Sequence, residues 1–278
     1  MICAGDKTKL MIVSTKQLRD SKLTPINKSL SLNVCGQPVD ESSSEKLLGM
    51  IVENDLTWII YMHGNNKTDT EKITGLLMKL SQIIGILLKL SKVLTKQQFN
   101  SVSNGVFTSL LIYCIQVFGH VWGIDKHDET NRKYTNFTKE DCRRLQVLQN
   151  KMLKLRSGLP YDFPTNDLLK TTGELSVHQL VAYHTLLQTN KTLISKKPSY
   201  IYEKLNLRTA GENSVFPQRQ SHTIQIKKRL TLSRSCFIYR GASLFNLLPM
   251  ELRISKNEKH FKTEVKVWVK TNIAIGPP

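Results

Sequence analysis

A chain of 278 residues with 40% hydrophobic side chains can bury a core as one large domain or two small ones, which excludes a wholly disordered polypeptide. Its 40 Lys and Arg against 22 Asp and Glu leave a net charge of +18, a balance that points away from cationic partners. Polyanions are the natural partners, and nucleic acid is the commonest, because each phosphate neutralised by Lys or Arg releases condensed counterions. An anionic membrane surface can use the same charge, and a basic helical scaffold with no selected ligand is the remaining alternative. Cys3, Cys35, Cys114, Cys142 and Cys236 are an odd number without a C-x-x-C pair, so a reducing, intracellular setting in cytoplasm or nucleus is expected. The opening Met1-Ile2-Cys3-Ala4-Gly5-Asp6-Lys7 lacks the apolar core of a secretory signal. The Asn-x-Thr triplets at Asn66, Asn136 and Asn190 are therefore expected to be silent.

Read from its start, the chain opens on strands. Residues 9–14 form a short apolar run, 29–34 alternate, Gly36 sits at a turn, and 46–52 read as a further strand. After Asp55 the pattern becomes helical, marked by capping pairs three residues apart: Thr68 with Glu71, Thr95 with Gln98, Thr138 with Asp141 and Ser176 with Gln179. A helix over 70–94 places Ile73, Leu77, Leu80, Ile84, Leu87 and Leu94 on one stripe, with Gly75 and Gly85 inside it each costing about 1 kcal/mol. A second helix is predicted over 97–119. Its run 102–124 is long and apolar enough for a membrane test, but Gln116 and His120 fit a buried core helix better, so no membrane is expected as partner.

The helix predicted over 139–157 has two faces. Leu145, Leu148, Met152 and Leu155 form one, while Arg143, Arg144, Lys151 and Lys154 fall largely opposite. Gln146, Gln149 and Asn150 are interspersed and able to contact phosphate and sugar. From 196 to 234 the pattern dissolves into a polar linker or basic arm with Pro198, Gly211, Pro217 and the run Lys227, Lys228, Arg229. Residues 237–273 regain apolar character as a small closing helical unit.

Chemistry is sparsely provided for. Phosphate loops of the G-x-x-x-x-G-K-[ST] type, dinucleotide fingerprints and H-E-x-x-H are all missing from the sequence. His63, His120, His127, His178, His184, His222 and His260 contain no helical i, i+4 pair for a metal. Cys142 could meet His120 or His127 as thiol and base, but a core cysteine is the better reading. Paired carboxylates able to hold two Mg²⁺ ions are also missing. No catalytic and no metal-binding residue is therefore expected.

Several strings nonetheless match a known pattern. Asp6-Lys7-Thr8-Lys9-Leu10-Met11-Ile12, then Lys46-Leu47-Leu48-Gly49 leading to Asp55-Leu56-Thr57-Trp58, are followed by Tyr113-Cys114-Ile115-Gln116-Val117-Phe118-Gly119. Next come Leu145-Gln146-Val147-Leu148-Gln149-Asn150-Lys151 and Gly173-Glu174-Leu175-Ser176-Val177. The most specific is Arg234-Ser235-Cys236-Phe237-Ile238-Tyr239-Arg240-Gly241-Ala242 with Phe245-Asn246-Leu247-Leu248-Pro249, Phe261-Lys262 and Trp268. In this order they resemble the region after the catalytic aspartates in reverse transcriptases of jockey-like non-LTR retrotransposons. Ala4 replaces that family's Asn, and Tyr61 and Phe118 stand where His and Trp are usual.

The resemblance implies a mainly α chain: a small N-terminal β remnant of a polymerase palm, a helical thumb-like bundle and a small C-terminal helical unit. The implied divisions are 1–58 with primer-grip-like strands, 59–160 as thumb, 161–233 as connector with basic linker, and 234–278 as closing unit. RNA and RNA–DNA hybrid would be the partners, beside the palm, fingers and endonuclease portions of a parent polymerase. The family's aspartates would lie a few dozen residues ahead of Asp6, so Mg²⁺ serves the full-length family while its ligands are absent here, and no cofactor is expected. The implied nucleic-acid-binding residues are Lys7, placed near the incoming nucleotide as a candidate proton donor to pyrophosphate, together with Lys9, Gly49, Lys79, Arg143, Arg144, Lys151, Lys154 and Arg240.

Overall fold

The computed structural model describes residues 8–14, 32–34, 36–39, 41–65, 73–124, 137–205, 207–208, 222–226 and 236–277. The fold is mainly helical, with a few short strands. The chain divides into two compact units, Met1–Lys79 and Leu80–Pro278.

The first unit holds two antiparallel hairpins. Strand β1 (Leu32–Val34) pairs with β2 (Gln37–Val39), and β3 (Ser44–Leu47) pairs with β4 (Met50–Glu53) in the register Leu47↔Met50 to Ser44↔Glu53. The single strand expected over 46–52 is thus a hairpin that reverses at Leu48 and Gly49. Both turn residues have positive φ, 49° and 90°, a mirror-image turn whose twist suits the strands that flank it. A left-handed Leu hides this turn from the sequence, since Asn or Gly is usual there. Residues 9–14 form no strand; Leu10 makes an isolated bridge to Glu41. Strand β4 buries Met50, Ile51 and Glu53, and the Glu53 carboxylate accepts from the backbone N–H of Ile60 at 3.1 Å, at the start of α1 (Ile59–His63).

The helix expected over 70–94 is shorter. α2 spans Leu76–Leu90, while Gly64 bridges Thr74 and the Asn65 side chain accepts from Ile73 N–H at 2.7 Å. Gly75 consequently lies ahead of the helix, pressed against the backbone of His63 and Gly64, where no side chain fits. Leu76, Leu80 and Leu87 are buried, whereas Met78, Ile86 and Leu88 are exposed, so only a narrow part of an apolar helix is covered. The capping pair Thr68 and Glu71 lies outside the described residues.

In the second unit the expected helix over 97–119 is broken into pieces. α3 (Lys96–Ser103) starts at a capping box of Thr95 and Gln98 and runs into a π-turn, Asn104–Thr108. α4 (Ser109–Ile112) ends at Tyr113, Cys114 turns left-handed at φ 55°, and α5 (Ile115–Phe118) follows. α6 (Lys139–Ser157) agrees with the sequence, from the Thr138–Asp141 box to the left-handed Gly158. α7 (Thr165–Thr172) follows, with Leu168 and Leu169 packed on Leu153 of α6.

The core is built around α8 (Val177–Ser195), which starts at the Ser176–Gln179 box and buries residues around most of its circumference. α5, α6, α10 (Phe237–Leu247) and α12 (Glu258–Asn272) pack on it. Asn190 is buried inside α8, which closes that glycosylation triplet in the folded chain. The polar stretch 196–234 is structured where described: α9 (Ser199–Tyr202), a 3₁₀ turn Glu203–Leu205, and β5 (Leu207–Arg208) paired with β6 (Thr223–Ile224). The run Lys227, Lys228, Arg229 lies outside the described residues. α11 (Met250–Ile254) joins α10 to α12.

Candidate nucleic-acid interface

On α6 the expected basic face is largely occupied by the protein's own acceptors. Glu140 sits in the first turn and takes Arg143 Nε at 2.8 Å and Arg144 Nε at 3.1 Å, so one carboxylate holds both guanidinium groups. These hydrogen bonds keep the Glu140 carboxyl below the usual carboxylate range. Both arginines are exposed, 73% and 55%, so the pairs are soft and solvent-screened. Lys154 donates to the carbonyl of Tyr161 and lies 5.6 Å from the centroid of its ring. Lys151 remains exposed.

The three amides interspersed on α6 face inward, contrary to their expected phosphate contacts. Gln149 is 6% exposed and donates to the Leu175 carbonyl at 2.8 Å. Gln146 accepts from Val177 N–H at 2.7 Å, and Asn150 donates to Thr165 at 3.1 Å. Together they fasten α6 to the starts of α7 and α8: Gln146 accepts from an N-terminal N–H that α8 leaves without an intrahelical partner, while Gln149 and Asn150 donate to the Leu175 carbonyl and the Thr165 hydroxyl. Arg156 completes this side, donating to Thr108 of the π-turn at 3.2 Å and standing 3.7 Å from Glu174.

The remaining expected site residues have different settings. Lys7 lies outside the described residues; Lys9 is exposed, Gly49 forms the β3–β4 turn, and Lys79 is half-buried on α2. Arg240 requires correction, since it is 4% exposed and cannot grip a strand. Its Nη2 donates to the carbonyls of Gln116 and Val117 at 3.3 and 3.2 Å, tying α10 to α5, and burial pulls its pKa down to about 10. The rest of that string is also structural. Gly241 sits where a Cβ would strike Thr189 of α8, and Asn246 exchanges two hydrogen bonds with the backbone of Ile224, at 2.7 and 2.9 Å, covering the edge of β6.

A basic surface that sequence reasoning missed lies on α12. Phe261, Val265 and Val269 face inward and are fully buried. Lys259, Lys262, Lys266 and Lys270, at steps of three, four and four residues, share another side of the helix. Among the described residues none of the four makes an ion pair; Lys270 donates to the Gly173 carbonyl. The signal was present as helical spacing, but the segment reads first as aromatic and aliphatic.

The chain matches no family model, no curated protein and no solved structure.

Other chemistry is limited. Among the described residues no three His, Cys, Asp or Glu side chains gather to hold a metal. Cys142 is buried beside Asp141, and burial pushes its thiol up to about 12, the character of a core cysteine. His178 is buried with both ring nitrogens engaged: Nε2 accepts from Trp122 N–H at 2.9 Å, which leaves Nδ1 to donate to the Ala274 carbonyl at 3.0 Å. The run Lys96–Phe118 is long and apolar enough to cross a bilayer by length and composition. Its backbone breaks at Tyr113 and Cys114, and it buries Phe107, Leu111, Ile115 and Phe118 within the second unit.

Proposed function

We propose that this chain binds nucleic acid through its phosphates and does no chemistry of its own, as a segment related to the thumb of a non-LTR retrotransposon reverse transcriptase. The observation that carries the reading is the net charge of +18 together with basic side chains that the protein's own carboxylates leave uncompensated on α12. Counterion release from a polynucleotide rewards such a surface without any base contact. The lineage rests on the order of matching strings, and RNA–DNA hybrid is the partner it nominates. A polymerase needs carboxylates for two metal ions, and the reading assigns that role to no residue of this chain.

Filter binding of a short RNA–DNA hybrid tests the reading. Affinity should weaken about a thousandfold between roughly 50 and 200 mM salt if about six phosphates are neutralised. Absence of binding, or a flat salt dependence, contradicts it. Extension of a labelled primer in magnesium by the purified chain contradicts the non-catalytic half.

A membrane-inserted reading draws on the length of Lys96–Phe118 alone. Arg240 argues against it, since a buried guanidinium clamps two carbonyls of that same run. Retention in membranes after alkaline extraction would favour the bilayer instead.

A further inference from the structure

We infer that the lysine row of α12, rather than the basic face of α6, is the track on which a nucleic-acid strand lies. The inference rests on the nucleic-acid reading above and names the surface that carries it.

Four features support this. Lys259 to Lys270 covers eleven helical steps, a rise of about 16 Å, against one phosphate per roughly 3.4 Å of each duplex strand, so four ammonium groups span about five phosphates. The row is held in place, because Phe261, Val265 and Val269 anchor the adjacent flank of the helix and the Tyr183 hydroxyl donates to the Lys262 carbonyl at 3.4 Å. The row also continues beyond the helix: Lys270 is bonded to Gly173, and Lys170 is exposed on the last turn of α7 that Gly173 ends.

The fourth feature is that no carboxylate among the described residues pairs with the row. His184 of α8 faces Lys262, and burial followed by the Lys262 charge holds its imidazole below the usual pKa of 6.5. A carboxylate there would do the opposite. Glu258 and Glu264 belong to the same helix, yet neither pairs with a lysine of the row. Positive charge is thus concentrated and unanswered within the described chain.

The occupant is a polynucleotide rather than a lipid surface. A helix lying on a membrane sinks bulky apolar residues beside its lysines. α12 turns Phe261, Val265 and Val269 into the core and leaves Val267 exposed. Repeated cations, with Val267 the large apolar side chain exposed on their helix, suit a backbone of phosphates.

The test compares full-length chains by filter binding to a short RNA–DNA hybrid over salt. Wild type is set beside Lys259→Gln/Lys262→Gln/Lys266→Gln/Lys270→Gln, the same four changed to Arg, and a triple change sparing Lys270 with its Gly173 bond. With about 0.7 to 0.9 counterions released per contact, the Gln variant should lose about three units of log–log slope and the triple about two, while the Arg variant keeps the wild-type slope. Replacing Arg143, Arg144 and Lys151 by Gln should change the slope by less than about one. Wild type that binds with a slope untouched by the α12 changes overturns this inference and leaves the nucleic-acid reading standing. Wild type that fails to bind overturns both. Loss of slope in the Arg variant, or α12-dependent capture by phosphatidylserine vesicles with no effect on hybrid, also overturns it.

Discussion

Helices α6 and α12 are both basic, amphipathic and packed on α8, yet they use their charge in opposite ways. On α6 one carboxylate, Glu140, answers two arginines, Tyr161 holds Lys154, and three amides secure neighbouring helix starts. On α12 the four lysines of the row find no carboxylate partner among the described residues. Counting Lys and Arg along a helix measures how much charge it has; the partners three and four residues away decide how much is left for a ligand.

Four changes would break or sharpen this contrast. The largest effect is expected from Phe261→Ala, which empties a fully buried site under the lysine row and should cost about 3–5 kcal/mol in denaturant unfolding. If α12 needs that anchor, hybrid binding falls with it even where the chain remains folded; undiminished binding would mean that the row acts without its helix. Gln149→Leu comes next. It removes the buried donor to Leu175 and should cost about 1–3 kcal/mol while leaving the salt slope unchanged. A slope change with unaltered stability would return the amide to the phosphate-contacting role that its sequence position first suggested.

His184 gives a pH signature. Its folded-state proton affinity is depressed by burial and by Lys262, so the unfolded chain takes up the proton first as pH falls through 6.5. The associated stability is complete above 6.5 and declines on acidification toward the depressed value. His184→Gln should flatten that part of the unfolding-midpoint profile, and an unchanged profile would place the titration elsewhere. The smallest effect belongs to Glu140→Gln. It leaves Arg143 and Arg144 without their carboxylate, yet the salt slope of hybrid binding should change by less than about one unit, with no shift in unfolding midpoint. A slope that steepens by more than that would return α6 to the ligand.

Much of the helical part could be read from the residues, because helix starts are written locally. Thr95 with Gln98, Thr138 with Asp141 and Ser176 with Gln179 each form the reciprocal cap expected from their spacing. Long-range and backbone-specific features were not readable. Leu48 adopts a left-handed turn that its side chain disfavours, and the break at Tyr113 and Cys114 follows a π-turn without Pro. Arg240 shows the limit for the site: its partners are carbonyls more than a hundred residues away, so a cation that looks available in sequence is sealed in the core. The string around it, with Gly241 against Thr189 and Asn246 clasping Ile224, carries packing information rather than ligand contacts.

Lysine footprinting by reductive methylation, with and without saturating RNA–DNA hybrid, tests the central claim most directly. Protection concentrated at Lys259, Lys262, Lys266 and Lys270, with Lys151 modified equally in both states, is the predicted pattern. Protection of Lys151 and Lys154 with the α12 amines left open would contradict it.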